Sequence, residues 1–254
     1  NMGKYHWSTE LVEQLRQLIL NHRNIIILPH TAPDGDALGS TLAWAKVLQA
    51  AHPEATIQVL SPDRIENYLS WLPLLDELLI YPDAEEECIR AVSTADLIFH
   101  LDHNQPSRLR YTPLIEATGL SKAPHILIDH HLDPDPTFTL NFSYPEASAT
   151  CELVHALILS LGWEQYITSE VATLLLTGII TDTGRFMYSH LSPELFTTTS
   201  DLLARGADYL HIIDRLTYHN PEIQVRLQGY VLDQKLELYP ELRAACIILT
   251  QEEL

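Results

Sequence analysis

Ala123-Pro-His-Ile-Leu-Ile-Asp129-His130-His131 is a short apolar run that ends in a carboxylate and two imidazoles. Polar groups of that kind make a poor core, whereas at the tip of a buried strand they make a good metal site. The arrangement recurs along the chain. Ile25–Leu28 leads into His30-Thr-Ala-Pro-Asp34-Gly-Asp36, Leu97–Leu101 leads into Asp102, and Val171–Thr181 leads into Asp182. Separate segments thus each deliver oxygen or imidazole donors at the end of an apolar element. The pattern implies one shared site that holds more than one metal ion.

Outward from the triplet, strand-like and helix-like stretches alternate. Thr9–Leu20 is an amphipathic helix, Asn24–Pro29 a strand, Ala37–Ala51 a helix and Thr56–Leu60 a strand, with further strands at Leu97–Leu101 and His125–Ile128. Short β-rich runs alternating with helices predict an α/β fold, a mostly parallel sheet flanked by helices on both faces. Ligands of such sheets gather beyond the carboxyl ends of strands, where His30, Asp102 and Asp129 fall. The second half is helical, at Ala149–Leu161, Ser169–Thr181, Pro193–Arg205 and Pro221–Glu237. Gly206-Ala-Asp208 punctuates that run and marks a linker region over 206–220. Leu242–Thr250 is strand-like.

Lys and Arg number 15 against 34 Asp and Glu in 254 residues, a formal charge of −19. So acidic a chain is a poor non-specific binder of long nucleic acid, which relies on basic side chains to displace counterions. An anionic substrate is compatible with it once bound cations supply local positive charge. Cys88, Cys151 and Cys246 have no CxxC spacing and read as free thiols of a reducing compartment. Asn1–Trp7 has no apolar signal region, and no apolar stretch is long enough to cross a bilayer, so the expected setting is cytoplasmic.

Each candidate has a plainer reading beside its chemical one. Asp34 and Asp36 stand two apart, share a face in extended chain and reach neighbouring ions; alternatively they cap a helix after an Asp-Gly turn. Gly39-Ser40 is expected at the start of the next helix, with free amides for an anion. Asp102 is a ligand or a solvated strand end. Nearby, Arg108 is suited to clamp a phosphate bidentately and Arg110 is a surface residue. Asp182 precedes a helix end closed by Gly184, where a carboxylate is unfavourable unless a cation relieves it. His190 faces a substrate or is bland, and His6, His22, His52 and His125 are surface or second-layer residues. Ser148 and Thr150 are read as helix caps, and Glu85–Glu87 as a solvated face. No Gly-x-Ser-x-Gly elbow and no Walker loop occurs, which excludes the hydrolases and nucleotide-binding enzymes built on them.

The motifs His30-x-x-x-Asp34-x-Asp36-x-x-Gly39-Ser40, Asp102 with Arg108, Asp129-His130-His131, and Gly178-Ile-Ile-Thr-Asp182-Thr-Gly184 stand in this order. Together they resemble the DHH phosphoesterase superfamily, from about Asn24 to Gly206. Thr181-Asp-Thr-Gly184-Arg185-Phe186 looks like the RecJ-like branch, which includes short-oligonucleotide phosphodiesterases (nanoRNases) that double as phosphatases of 3′-phosphoadenosine-5′-phosphate (pAp). The resemblance implies a pair of Mn²⁺ ions, with Mg²⁺ or Co²⁺ as alternatives. His30, Asp34 and Asp102 would hold one ion. Asp36, Asp102, His130 and Asp182 would hold the other, with Asp102 bridging. Asp129 would orient a ligand histidine, His131 would face the scissile phosphate, and Arg108 or Arg185 would stabilise its charge. A short oligonucleotide or nucleotide bisphosphate is the implied substrate, and a homodimer is one assembly open to the chain.

The resemblance also divides the chain into a DHH catalytic domain at 1–205, a helical linker at 206–240 and, at 241–254, the start of a truncated or missing DHHA1-type substrate-binding domain. That domain's glycine-rich motif does not occur in these residues. Other readings are a DHH-type inorganic pyrophosphatase, a cyclic-dinucleotide phosphodiesterase and a non-catalytic nucleotide sensor.

Overall fold

Ile25–Leu28 offers no polar side chain to water, so a strand made from it must be covered on both faces. The computed structural model, which describes Tyr5, residues 7–188 and residues 191–253, provides that cover. The first part of the chain runs α1 (Thr9–Asn21), β1 (Asn24–Leu28), α2 (Gly35–Ala51), β2 (Thr56–Ser61), β3 (Leu79–Ile80), α3 (Glu85–Thr94), β4 (Leu97–Leu101), α4 (Thr112–Leu120), β5 (His125–Asp129) and β6 (Leu140–Ser143). It continues through α5 (Thr150–Ser160), α6 (Ser169–Asp182), α7 (Pro193–Ala204), α8 (Tyr209–Thr217), α9 (Glu222–Tyr230), β7 (Leu236–Tyr239) and β8 (Ala244–Ile247). The first six strands form one sheet in the order β3-β2-β1-β4-β5-β6, with every neighbouring pair parallel.

Alternate side chains of the central strands serve opposite layers. Ile26, Leu28 and Ile98 join Cys88 and Val92 of α3 and Leu114 of α4 in one buried cluster. On the other face Phe99 meets Trp44 of α2 edge-on, ring centroids 5.6 Å apart, and α5 and α6 pack against α2. The strand order departs in opposite directions from β1 and β4, which makes their carboxyl ends a topological switch point. His30 lies just beyond β1 and Asp102 directly follows β4.

Several elements differ from the sequence reading. Glu85–Glu87 is exposed, as read, but it is also the first turn of an unforeseen α3, where acidic side chains complement the positive end of the helix, while Cys88 and Val92 are buried one turn apart. α4 also escaped notice, as did β3, only two residues long, and β6, which buries only Phe142. The stretch after Gly206 holds α8, because Asp208 accepts a hydrogen bond from the His211 N–H at 3.0 Å and so starts a helix. The helix read over Pro221–Glu237 runs as an α-helix to Tyr230 and as a π-helical turn over Val231–Lys235, so it ends two residues early. Leu236-Glu-Leu-Tyr239 instead pairs antiparallel with Ala244–Ile247 around a turn at Pro240–Leu242.

The chain divides into two compact units, Asn1–Ile212 and Ile213–Leu254, with the division inside α8. In the second unit every residue of β7 and β8 is exposed, and Lys235 forms an ion pair with Glu253. A lone two-stranded hairpin is marginal in water. Among the described residues, no helix is long and apolar enough to cross a membrane.

Candidate metal centre

The acidic and imidazole side chains at the ends of β1, β4, β5 and α6 converge. His30, Asp34 and Asp102 bring one donor atom each within 4.8 Å of one another, as do Asp36, His130 and Asp182, and also Asp102, His130 and His131. His30 Nε2 lies 3.4 Å from Asp102 Oδ2 and 3.8 Å from Asp34 Oδ2. His130 Nε2 lies 3.2 Å from Asp182 Oδ2, 3.5 Å from Asp102 Oδ1 and 3.8 Å from Asp36 Oδ2. The Asp102 carboxylate therefore straddles the first two groups, one oxygen toward each. Its backbone is left-handed (φ 62°), a strained state for a residue with a side chain that persists only where the surroundings enforce it.

Local structure fixes each donor. The Nδ1–H groups of His30 and His130 donate to Thr31 O at 2.6 Å and Ala147 O at 3.2 Å. Both rings therefore turn Nε2 toward the carboxylates, the usual way of aiming a ligand histidine. Asp34 caps α2, its Oδ1 accepting from the amides of Asp36 and Ala37 at 3.0 Å, and Oδ2 is the oxygen nearer His30. The capping and cluster readings of Asp34 thus coexist. Asp36 is fully buried. α5 begins after Ala149, which has no side-chain cap, so its first amides need an acceptor. Asp36 supplies it, accepting from Thr150 N at 2.6 Å and Cys151 N at 2.9 Å. At the end of α6, Gly184 N–H donates to Thr181 O at 3.1 Å and Arg185 N–H to Ile180 O at 2.8 Å. That Schellman closure, with Gly184 at φ 54°, stops the helix directly after Asp182.

Electrostatics describe a place that demands positive charge. Burial and the charges of Asp102 and Asp182 push the Asp36 carboxyl well above the usual range. Burial likewise raises Asp182, with the Asp102 charge adding to it and the His130 hydrogen bond opposing it. Burial alone would raise Asp102, but hydrogen bonds from His130 and His30 outweigh it and hold the group low. Burial opposes protonation of His130, yet hydrogen bonds to Asp102 and Asp182 and the charge of Asp36 carry its pKa to about 12. Carboxyls pushed up by burial and mutual repulsion around a strongly basic imidazole are a setting that a divalent cation would relieve.

Not every expectation was met. Asp129 is expected to orient a ligand histidine; the histidine it holds is His131, whose Nδ1 donates to Asp129 Oδ1 at 2.7 Å, while His130 is held by Ala147. Residues two apart share a face, so Asp129 meets His131 and not His130. Gly39 and Ser40 offer no free amides, because α2 already begins at Gly35. A Cβ at Gly39 would instead press into the Leu174 carbonyl, and one at Gly178 would sit 2.7 Å from Asp36 Oδ1. These glycines let α2 and α6 close on each other. Thr150 does not cap its helix: its hydroxyl donates to Asp102 Oδ1 at 3.0 Å. Arg108 and Arg185 are exposed, and Arg110 pairs with Asp63 at 3.3 Å. His6 and His190 lie outside the described residues.

Sequence reading overlooked the roles of Thr150, Cys151, Asp63 and the imidazole chain beneath the site. Only the uncapped start of α5 hinted at the first two. His103 Nδ1 donates to Leu101 O at 2.9 Å, His100 Nδ1 donates to His103 Nε2 at 3.0 Å, and His125 Nδ1 donates to His100 Nε2 at 2.9 Å. A carbonyl only accepts, so it fixes the tautomer of all three rings in turn. Burial pushes each pKa down, His103 to about 4, which keeps the rings neutral.

Residues 24–179 match the family described as "DHH family, N-terminal domain". The chain belongs to the DHH family. An exopolyphosphatase-related protein from Bacteroides fragilis superimposes with a TM-score of 0.91 at 32% identity, covering 97% of this chain and 71% of that one. The bifunctional oligoribonuclease and PAP phosphatase NrnA of Thermus thermophilus is 36% identical over 209 residues, 82% of this chain and 58% of that protein. A probable counterpart from Streptococcus mutans is 31% identical over 228 residues, 90% of this chain and 66% of that protein. The DHH-family chain thus spans about three-fifths to two-thirds of the length of these curated relatives.

Proposed function

We propose that this protein is a two-metal phosphoesterase that hydrolyses short oligonucleotides and pAp. The observation that carries the reading is the Asp102 carboxylate, with one oxygen directed at each of two donor groups. The likeness to proteins named bifunctional oligoribonuclease and PAP phosphatase supports the substrate class. His30, Asp34 and Asp102 would hold one ion; Asp36, Asp102, His130 and Asp182 the other. The donors are carboxylates and imidazoles with no thiolate, a set that suits Mn²⁺. Bound there, paired divalent ions supply the Lewis acidity that activates water and offsets phosphoryl charge.

The chain's own groups do the rest. His131, held by Asp129 and partly open to solvent, donates a proton toward the phosphoryl or leaving oxygen. Arg108 and Arg185 meet the remaining negative charge. The formal charge of −19 disfavours long nucleic acid, and metal ions at this centre would supply the local positive charge that draws a small anion. Free Cys88, Cys151 and Cys246 fit a cytoplasmic setting.

The test supplies Mn²⁺ and offers pApA, pAp and pyrophosphate, resolving mononucleotide from orthophosphate. Mononucleotide from pApA and orthophosphate from pAp are expected. Turnover of pyrophosphate alone would identify a pyrophosphatase, and no turnover with bound nucleotide would identify a sensor.

A further inference from the structure

Asp63 lies two residues beyond β2, at the same end of the sheet as His30 and Asp102. Its Oδ2 accepts from the Thr31 hydroxyl and from the Ala32 amide at 2.8 Å. Its Oδ1 accepts from the Tyr111 hydroxyl at 3.1 Å and from Arg110 Nη1 at 3.3 Å. Ser61 Oγ donates to the Asp63 carbonyl at 2.6 Å, fixing the residue's own backbone. One carboxylate thus gathers the loops that follow β1 and β4. Ala32 and Arg110, both bonded to it, are left-handed at φ 47° and φ 66°. Such non-glycine residues need outside anchoring to stay there.

We propose that Asp63 is a positioning residue for the His30 half of the metal centre, an inference that rests on the two-metal reading. The link is Thr31. Its hydroxyl is held by Asp63 and its amide by Arg108 O at 2.8 Å, and its carbonyl receives the His30 Nδ1–H. The orientation of His30 Nε2 toward Asp34 and Asp102 therefore descends from Asp63 through one residue. Among the described residues the Asp36–His130–Asp182 group has no comparable connection to Asp63, since its anchors are the α5 amides and Ala147. An amide at position 63 would turn its NH₂ toward a pair of donors and release one of the loops.

The test titrates Mn²⁺ into the chelator-stripped 254-residue chain by calorimetry, for wild type, Asp63→Asn, Thr31→Val and Tyr111→Phe, alongside thermal melts of the stripped proteins. Wild type is expected to take up two ions. Asp63→Asn and Thr31→Val should weaken one ion about 10–100-fold, the range seen when a partner of a ligand histidine is lost. The second ion should be unchanged in both variants, and Tyr111→Phe should leave both ions unchanged. A merely structural role would lower the melting temperature without separating the two affinities. Two wild-type affinities in Asp63→Asn, or in Thr31→Val where Asp63→Asn does not fold, overturn the inference while the two-metal reading stands. Failure of the wild type itself to bind two ions overturns both.

Discussion

Gly178→Ala adds one methyl where α6 faces the Asp36 carboxylate. The new carbon would overlap Cys151 Sγ and sit 2.7 Å from Asp36 Oδ1 and 3.0 Å from Asp36 Cα, so the thiol and the carboxylate must both give way. An unstrained carbon–oxygen contact is about 3.3 Å, so the carboxylate must retreat by about 0.6 Å. It is poorly placed to do so, being bonded to the Thr150 and Cys151 amides at 2.6 and 2.9 Å. Overpacking of this kind costs about 1–3 kcal/mol, and the better helix propensity of alanine returns about 1 kcal/mol. With the buried Cys151 thiol also in the way the cost falls at the upper end of that range, a net destabilisation of about 2 kcal/mol and a Tm loss of about 4–8 °C.

The sharper consequence is at the site, because geometry there must hold within about 0.5 Å. The rise in Tm that Mn²⁺ gives the wild type should therefore shrink in Gly178→Ala. Gly119→Ala is the control: it lies in α4 and its Cβ would meet nothing within 4 Å. That variant should be neutral or stabilised by up to about 1 kcal/mol, with the full Mn²⁺ response. Calorimetric melts with and without Mn²⁺ measure both. If the two variants show the same Mn²⁺ increment, the close approach of Gly178 to Asp36 does not govern the site.

Asp102→Asn should remove activity more severely than any other single change, and a variant that keeps more than about a tenth of wild-type turnover with both ions bound would refute the bridging role. Chelated protein should regain activity with Mn²⁺ and less with Mg²⁺, which holds water and oxygen ligands in preference to imidazole; full recovery with Mg²⁺ alone would contradict this. His30 and His130 have raised pKa values, His130 to about 12, so the metal-free fold binds more protons than the unfolded chain above the ordinary histidine value of 6.5. Stability of stripped protein should thus fall as pH rises from about 7 to 9, by up to about 1.4 kcal/mol per pH unit per proton. Below 6.5 the slope should reverse, because His100, His103, His125 and His155 are held neutral in the fold. Bound Mn²⁺ should abolish the alkaline fall, and a flat profile in melts of stripped protein would refute the charge balance described.

The sheet was legible because its central strands are continuous apolar runs with one meaning. The convergence of His30, Asp34, Asp36, Asp102, His130 and Asp182 was legible because each stands at the tip of such a run. What failed to show was of another kind. β3 and β6 are edge strands too short to carry a period, and α3 opens on three glutamates that look like any solvated surface. The partnership of Asp36 with α5 joins residues whose local sequence is silent about each other. Thr150 looks like a cap until Ala149 is seen to hold the cap position and Thr150 to be the first residue of α5. Gly39 looks like an anion loop until α2 is seen to begin at Gly35. Boundaries, more than element types, decided which roles were misread.

The bonds from Thr150 and Cys151 to Asp36 span 114 and 115 positions of sequence. Closing a segment that long costs chain entropy before any contact repays it, and parallel sheets of such non-local pairing form slowly. The donor groups are therefore expected to come into register late, after the strands that carry them have paired. A refolding chain should be blind to Mn²⁺ until the rate-limiting barrier is behind it. The ion should leave the folding rate nearly unchanged and slow unfolding instead, as expected for contacts missing from the transition state. Metal uptake would then time the last stage of folding, and a cell short of the ion would make the native fold at the usual pace and lose it faster.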